Sequence, residues 1–162
     1  MDYTVFAKYE GAFEKAAPEE RQQVMEEMFF TAVNGNENHP TPFMEMMKME
    51  AIKCSAEERS MQLRFPIQDW QLNPSGNIHG GMIATILDMS MGILCHTLAG
   101  MRATPTVNLN VQYLNPGKRG DHLLVEVQAD KLGRTMIYVT GRAVAESTGK
   151  IVAVLSGTCI RR

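Results

Sequence analysis

Cysteine is scarce in this chain of 162 residues, and its three cysteines, Cys54, Cys95 and Cys159, lie far apart in the sequence. An odd number of widely spaced cysteines fits neither a disulfide framework nor the paired thiols of a zinc site. The sequence therefore predicts free, non-catalytic thiols, no metal centre and a reducing compartment, which we take to be the cytoplasm.

An excess of charge of either sign is also missing, since 16 lysines and arginines stand against 18 aspartates and glutamates. A nucleic-acid-binding domain usually carries a basic face, so no nucleic acid partner is expected. Asp2, Lys8 and Glu10 interrupt the amino terminus, and no secretory signal is predicted. The length, with 44% hydrophobic and 21% charged residues, is typical of one globular domain.

One long apolar run is present, at residues 80–99, and Asp88 is its only acidic or basic residue apart from His96. A helix that is apolar nearly all round is a buried helix, and an unpaired buried charge is costly. The run is long enough to span a membrane, but Asp88, His96 and its glycines argue against that and predict no membrane partner. We therefore expect a buried core helix in which Asp88 has a specific partner.

A turn at residues 73–79 leads into this helix, which Gly80 and Gly81 open. A helix start presents unpaired N–H groups and a partial positive charge, where an oxyanion could be held. The alternative is a simple turn with His79 as a helix cap. Residues three, four and seven positions from Asp88 share its face, and most of them are small: Gly81, Ala84, Thr85, Met91, Gly92 and Cys95.

The distance between the two polar ends of this segment constrains any shared chemistry. Asp88 follows His79 by nine residues, which is roughly 13 Å along a helix axis. One small substrate centre cannot contact both side chains of one chain. If both act on the same atom, a second subunit must supply one of them, so a homo-oligomer built on a dimer is expected, with a dimer of dimers as the preferred assembly.

Alternation of apolar and polar residues predicts strands on both sides of the helix. Two strands precede it, at about residues 49–54 and 61–67, and four follow it, at about residues 106–113, 123–129, 137–145 and 152–158. In the last strand Val152, Val154, Ser156 and Thr158 are predicted to share one face. Short connections favour a four-stranded antiparallel meander after the helix.

Residues 1–42 are predicted to form a separate helical extension. A helix should start at Pro18 and end at residues 34–36, with Val24, Met28, Phe29 and Val33 on its apolar side, before a linker at Pro40 and Pro42. The extension could be a lid or an oligomer contact. We favour a helix that covers one edge of the core.

The spacing Asn73-x-x-Gly76-x-x-His79-Gly80-Gly81, with Asp88 nine residues after the histidine, resembles the hotdog-fold acyl-CoA thioesterases. It is most similar to the branch with the phenylacetate-pathway thioesterases and thioesterase superfamily member 2. The resemblance covers about residues 43–159. It implies an α+β hotdog fold, in which a curved antiparallel sheet wraps around one long central helix, in a domain of residues 43–162.

This resemblance implies hydrolysis of an acyl- or aryl-CoA thioester, as in fatty acid metabolism, with no cofactor beyond the CoA of the substrate. The Gly80 N–H matches the oxyanion donor, and Asp88 of the facing subunit matches the catalytic carboxylate, as general base or nucleophile. Asn73 and His79 match residues that orient the thioester and the loop. Thr106 matches a Ser/Thr position that helps to hold the water, although a threonine there is equally often a simple strand residue.

Coenzyme A carries several phosphate charges, so a slightly acidic protein needs a local basic rim to bind it. Gly133 would let a ligand approach Arg134 closely, which makes Arg134 the preferred candidate, although such residues are more often solvated surface charges. The full set of candidates is Arg102, Lys118, Arg119, Lys131 and Arg134.

The acyl group is predicted beside the helix, near Met82, Met89, Met91 and Tyr113. An acyl-CoA-binding module without turnover is the alternative function, and a hotdog hydratase ranks below it because its motif is not found. Asp88 favours the enzyme, since a pure binding module does not need a carboxylate at a reaction centre.

Overall fold

The computed structural model describes residues 7–34 and 42–161. Its centre is one long helix against a six-stranded antiparallel sheet, with shorter helices at the amino-terminal side. The elements are α1 (Ala12–Lys15), α2 (Arg21–Asn34), α3 (Pro42–Met47), β1 (Glu50–Ser55), β2 (Ser60–Pro66), a 3₁₀ turn (Asp69–Gln71), α4 (Gly80–Leu98), β3 (Thr106–Tyr113), β4 (His122–Leu132), β5 (Met136–Ala145) and β6 (Ile151–Ile160). The predicted hotdog architecture is confirmed.

Helix α4 is buried along one side only. Its buried apolar residues recur at helical spacing, as in Leu87, Met91, Leu94 and Leu98, and they face the sheet. Asp88, on the other side, is half-buried. The expectation of a helix buried all round is therefore wrong for the single chain. Met91 and Cys95, expected on the face of Asp88, are buried on the side of the sheet. By length and composition α4 could cross a membrane, but here it is the core helix of the fold.

The end of α4 is fixed by a close approach of the amino-terminal segment. Gly100 has φ +67°, in the left-handed region that favours glycine. A side-chain carbon there would also lie on the backbone of Gly11. The only residue that fits both demands is glycine, and it joins the extension to the core helix.

The strand order in the sheet is β1-β2-β4-β5-β6-β3, and every pair is antiparallel. The predicted meander is correct for β4, β5 and β6 but wrong for β3, which pairs with β6 at the far edge. Strand β2 pairs directly with β4, although α4 and β3 lie between them along the chain. Nothing local forces β3 to lie beside the strand that follows it.

Four strand pairs contain a one-residue register shift, and two of these β-bulges lie in the strands next to the site, β6 and β3. In β6, Ala153 pairs with Ala143 while Ile151 pairs with Val144, so Val152 is the extra residue. The helix-facing residues are consequently Ala153, Leu155, Gly157 and Cys159. The predicted common face of Val152, Val154, Ser156 and Thr158 is wrong, because periodicity cannot detect an inserted residue.

The second bulge lies at the start of β3. Thr106 pairs with Cys159 and Asn108 pairs with Thr158, which leaves Val107 as the extra residue. Without it Thr106 would share a face with Asn108, as the alternation predicts. With it Thr106 lies on the helix-facing side, opposite the buried Cys159.

The amino-terminal extension shares the core of the sheet. Helix α2 begins at Arg21, after a turn at residues 18–20, and buries Met25, Met28, Phe29 and Ala32 against β1 and α4. Val24 and Val33 are only half-buried, so the predicted apolar side is rotated. The preferred position at a core edge is observed, since β1 is an edge strand. The predicted linker at Pro40 and the helix end at residues 35–36 lie outside the described residues. The prediction of a linker at Pro42 is wrong, because Pro42 is the first residue of α3.

The packing of β6 beneath the helix gives a stability test. A methyl group at Gly157 would lie 2.8 Å from the backbone oxygen of Asn108 and 2.5 Å from Sδ of Met91. We expect Gly157→Ala to lower the free energy of unfolding by about 1–3 kcal/mol, because β3 must move. Urea unfolding measures this. The adjacent exposed Ser156→Ala is the matched control, and equal effects of the two variants would contradict the packing.

Candidate active site

The loop before α4 is organised by the side chain of Asn73. Its Oδ1 accepts hydrogen bonds from the backbone N–H groups of Ser75 at 2.9 Å and Asn77 at 3.2 Å. The backbone N–H of Asn73 donates to the carbonyl of Asn77. Since its oxygen is used within the loop, Asn73 holds the turn that delivers His79 to the start of the helix.

His79 caps α4. Its backbone is extended, with φ −66° and ψ 139°, and its Nδ1 accepts a hydrogen bond from the Gly81 N–H at 3.0 Å. This satisfies one of the unpaired donors of the first turn. Because Nδ1 accepts, the proton of a neutral ring lies on Nε2. The exposed imidazole therefore turns a donor towards solvent, and the capping interpretation and the functional one are compatible.

The N–H of Gly80 is the unpaired donor at this helix start. No acceptor in the described residues takes it, while the N–H of Gly81 is bound to His79. The helix dipole adds a partial positive charge at the same place. A developing negative oxygen could be held there, as the sequence predicted.

Tyr113 closes the other side of this first turn. Its hydroxyl donates to the carbonyl oxygen of Gly80 at 3.1 Å. Two carbons of its ring lie 3.5 Å from the position that a side-chain carbon on Gly80 would occupy. Tyr113 was predicted in an acyl pocket with Met91, but Met91 is fully buried between α4 and the sheet. Only Met82 and Met89 of the predicted pocket are half-buried beside the helix.

Asp88 lies on the open side of α4 with Thr106 as its partner. The threonine hydroxyl donates to Oδ1 of Asp88 at 2.9 Å, which the bulge at Val107 makes possible. No cation pairs with Asp88 among residues 7–34 and 42–161, and its Oδ2 accepts no hydrogen bond from them. A hydrogen-bonded carboxylate with one oxygen available can accept a proton or attack a carbonyl.

The structure thus assembles two half-sites and keeps them apart. His79, Gly80 and Tyr113 form one, and Asp88 and Thr106 form the other. Eight residues of helix, about 12 Å, separate Gly80 from Asp88. Strand β3 joins both, with Thr106 at its start and Tyr113 at its end.

Two cysteines that the sequence left unrelated meet behind Thr106. The thiols of Cys95 and Cys159 share a hydrogen bond, which raises the pKa of Cys95 and lowers that of Cys159, and burial further raises the pKa of Cys95. All three cysteines are free, and burial raises the pKa of Cys54 to about 11. No sequence motif indicates this pair of cysteines, because the two side chains meet only when β6 packs against α4.

The predicted phosphate-binding residues differ in the contacts that their side chains already make within the chain. Arg102 donates to the Ala99 carbonyl at 3.0 Å and pairs with Glu14 at 3.2 Å, so it links the extension to the end of α4. The ammonium of Lys131 lies 5.9 Å from the Tyr138 ring centre. Arg119 forms an ion pair with Asp69. Lys118 is exposed, and its backbone forms an isolated β-bridge with Asn77.

Arg134 is exposed in the turn between β4 and β5. This turn lies at the end of the sheet where β3 begins, since Arg161 donates to the Thr135 carbonyl and Ile160 donates to the Pro105 carbonyl. Two intervening strand spacings place it about 10 Å from the start of β3. Of the predicted rim, Arg134 combines a position near a half-site with a guanidinium that pairs with no acidic side chain in the described part of the chain.

Two grooves of the chain lie elsewhere. One, of about 600 Å³, is lined by outer-face residues such as Gln62, Glu126 and Arg142. The other, of about 710 Å³, lies between the amino-terminal helices and the β1–β2 turn. Neither is lined by a residue of the two half-sites. Among the described residues no group of three His, Cys, Asp or Glu side chains could hold a metal ion.

Comparison with known proteins gives a family. The sequence pattern of the thioesterase superfamily matches residues 75–152. Mouse acyl-coenzyme A thioesterase 13 is 26% identical over 103 residues, which are 61% of this chain and 71% of that protein. The Pseudomonas aeruginosa protein named "Putative esterase PA0474" is 30% identical over 104 residues, 62% of this chain and 74% of its own.

Solved structures show the same fold. A thioesterase-like, phenylacetic acid degradation-related protein from Ralstonia eutropha superposes with a TM-score of 0.71 at 27% identity, over 82% of this chain and 98% of its own. A Streptococcus mutans protein, whose structure contains acetyl CoA, superposes with a TM-score of 0.67 at 23% identity, over 77% and 97%.

The helix cap can be tested through stability. We expect His79→Ala to lower the free energy of unfolding by about 1 kcal/mol, because the Gly81 N–H loses its acceptor. Asn is a favoured capping residue, so His79→Asn should recover most of the loss. Urea unfolding of the three proteins measures both effects. Equal losses in the Ala and Asn variants would show that His79 does not act as a cap.

Proposed function

This chain belongs to the thioesterase superfamily and is a thioester hydrolase, and from that premise we propose that Asp88 and Gly80 of two facing subunits hydrolyse an acyl- or aryl-CoA. Water adds to the thioester, the carbonyl–sulfur bond breaks, and the products are the free acid and CoA-SH. The observation that carries the proposal is the pair of half-sites, an unpaired N–H at a helix start and a threonine-bound carboxylate on the open side of the same helix.

The first half-site polarises the thioester carbonyl. As negative charge develops on the carbonyl oxygen, the Gly80 N–H and the positive end of the α4 dipole stabilise it. The exposed side chain of His79, the residue before this donor, orients the substrate through its Nε2–H. Asn73 acts through the loop, whose turn it holds.

The second half-site supplies the oxygen nucleophile, by one of two routes. In the first, Asp88 takes a proton from a water while that water attacks the carbonyl, and the proton then passes to the departing thiolate. In the second, a carboxylate oxygen attacks, CoA leaves as a thiolate, and water hydrolyses the resulting anhydride. In both routes the Thr106 hydroxyl orients Asp88 through its 2.9 Å hydrogen bond.

A second copy of the chain completes the site. Asp88 and Gly80 of one chain are about 12 Å apart along a helix, and α4 leaves its side with Gly81, Thr85 and Gly92 uncovered. A side-chain carbon on Gly92 would meet nothing within 4 Å, so another helix can approach closely. Edge strand β3 offers a further surface for pairing. We propose a dimer that brings each Asp88 to the partner's Gly80, and a dimer of dimers as the full assembly.

Coenzyme A would extend from the reaction centre towards Arg134. That side chain is exposed and lies at the end of the sheet where β3 begins, with Lys131 on the preceding strand. The acetyl CoA in the Streptococcus mutans relative supports a CoA ligand in this fold. The proposed reaction uses water and no cofactor beyond the CoA of the substrate.

The role of Asp88 is tested by Asp88→Asn, which preserves shape and removes basicity. We expect kcat to fall on the order of 10²–10⁴-fold, as for loss of a positioned base. The substrates are a panel of acetyl-, medium-chain, palmitoyl- and phenylacetyl-CoA, with CoA-SH release as the measurement. A non-hydrolysable thioether analogue should bind the variant as tightly as the wild type.

The chain offers a matched control for this change. Asp130 also accepts a hydrogen bond from a threonine hydroxyl, that of Thr140 at 3.0 Å, but on the exposed outer face of the sheet. Asp130→Asn should leave kcat unchanged. Wild-type turnover in Asp88→Asn would refute the mechanism. A wild-type protein that binds the analogue and hydrolyses no member of the panel would instead be an acyl-CoA-binding module.

The shared site is tested by mixing two inactive variants. Gly80→Pro removes the N–H at the first helical position, where proline is well tolerated and the extended His79 suits it. In a hybrid dimer with Asp88→Asn, one of the two sites has both intact halves. After subunit exchange, an equal mixture should therefore recover about a quarter of wild-type activity. Folded hybrids without activity would show that one chain contains the whole site.

A further inference from the structure

The last residue of β3 lies against the proposed oxyanion donor rather than in the core. Tyr113 is 53% exposed, yet its hydroxyl reaches the Gly80 carbonyl at 3.1 Å and its ring lies along Gly80. A tyrosine on a strand edge gains little from burial at that exposure. The contact joins the end of an edge strand to the first turn of α4.

Together with His79, Tyr113 holds both ends of one peptide unit. The Gly80–Gly81 peptide has its oxygen bound by the Tyr113 hydroxyl and its N–H bound by Nδ1 of His79, at 3.1 and 3.0 Å. This leaves the preceding N–H, that of Gly80, as the free donor. These two hydrogen bonds fix the first turn of α4, and neither of them uses the Gly80 N–H, which would contact the substrate.

Such a clamp is needed because two successive glycines open the helix. Glycine has more backbone freedom than any other residue, and the first turn of a helix lacks half of its hydrogen bonds. The peptide that carries the Gly80 N–H is held at its other end, because the His79 carbonyl accepts from the Met82 and Ile83 N–H groups. The Tyr113 contact restrains the peptide on the other side of Gly80. An oxyanion donor is effective only if it already points to where the charge develops.

We propose that Tyr113 is a positioning residue of the thioesterase site, which fixes the direction of the Gly80 N–H through its hydrogen bond to the Gly80 carbonyl. It acts through Gly80 and not on the reacting atoms. The proposal rests on the proposed function above, because it assigns Tyr113 to the oxyanion end of that site.

Tyr113→Phe removes the hydroxyl and keeps the ring. Removing a whole oxyanion donor costs about 10²–10³-fold in kcat, so loss of its alignment should cost about 5–30-fold. The KM and the dissociation constant of the thioether analogue should stay within about two-fold, because an oxyanion donor acts mainly in the transition state. Tyr138→Phe is the control, since Tyr138 is similarly exposed on the sheet and contacts Lys131.

A double variant separates positioning from a general structural role. If Tyr113 acts only through the Gly80 N–H, adding Tyr113→Phe to Gly80→Pro should cause no further loss of the residual rate. A multiplicative further loss would overturn the proposal. So would a Tyr113→Phe protein with wild-type kcat, or one that sediments as a monomer, because its defect would then lie in assembly.

The outcomes also separate this proposal from the one on which it rests. If Asp88→Asn is inactive and Tyr113→Phe is fully active, only the role of Tyr113 fails. If Asp88→Asn turns over normally, the proposed mechanism fails. A Tyr113→Phe protein with normal urea unfolding, dimeric sedimentation, reduced kcat and unchanged KM supports the positioning role.

Discussion

The one-sided packing of α4 against the sheet is the constraint on which the rest of the structure depends. Leu87, Met91 and Leu94 are completely buried there, and each such side chain contributes about 1.5–3 kcal/mol when it leaves water. The opposite side carries Asp88 and Gly92, which would gain nothing from that environment. The apolar side chains therefore fix the rotation of the helix about its axis. That rotation alone places the carboxylate outside the core and within reach of another molecule.

Strand β3 completes the site by placing two of its side chains against the side of α4 that this rotation leaves outside the core. It borders β6 on one side, and no other described strand pairs with its second edge. Its residues can therefore contact α4 and a second molecule at once. Thr106 fixes the carboxylate in the middle of α4, and Tyr113 contacts its first turn. A free strand edge also exposes unpaired backbone groups that another strand can satisfy. The surfaces proposed for catalysis and for assembly are thus the same part of the fold.

Much of this fold can be predicted from residue patterns, and the exceptions share a cause. Helix α4 follows from its long apolar run, and the six strands follow from the alternation of apolar and polar residues, because burial of one sheet face imposes it. The position of β3 beside β6 could not be predicted, since strand pairing over long sequence distances leaves no local signal. Bulges at Val107 and Val152 escape detection for a related reason, because one unpaired residue reverses the alternation after it.

The residues of the two half-sites also divide into those that the sequence indicates and those that only the packing of the strands brings together. The motif from Asn73 to Asp88 lies within one continuous segment, so its spacing alone indicates an oxyanion site at the helix start and a second chain, while the family resemblance implies Gly80 as the donor. Thr106 came only from the family resemblance. The contact of Tyr113 with Gly80 and the pairing of Cys95 with Cys159 depend on how β3 and β6 pack against the helix. No property of these side chains in the sequence distinguishes them from ordinary strand or core residues.

Because of the bulge at Val107, the direction of the Thr106 hydroxyl depends on the number of residues at the start of β3 and not on which residue stands at position 107. Any side chain at position 107 keeps the count of two residues opposite one, whereas the gain or loss of a residue between Pro105 and Asn108 changes the count and turns Thr106 to the outer face. Exchanges at this point are therefore mild and insertions or deletions severe. Among diverged sequences with this fold, the position of alignment gaps before β3 would carry more information about the site than the residue found there.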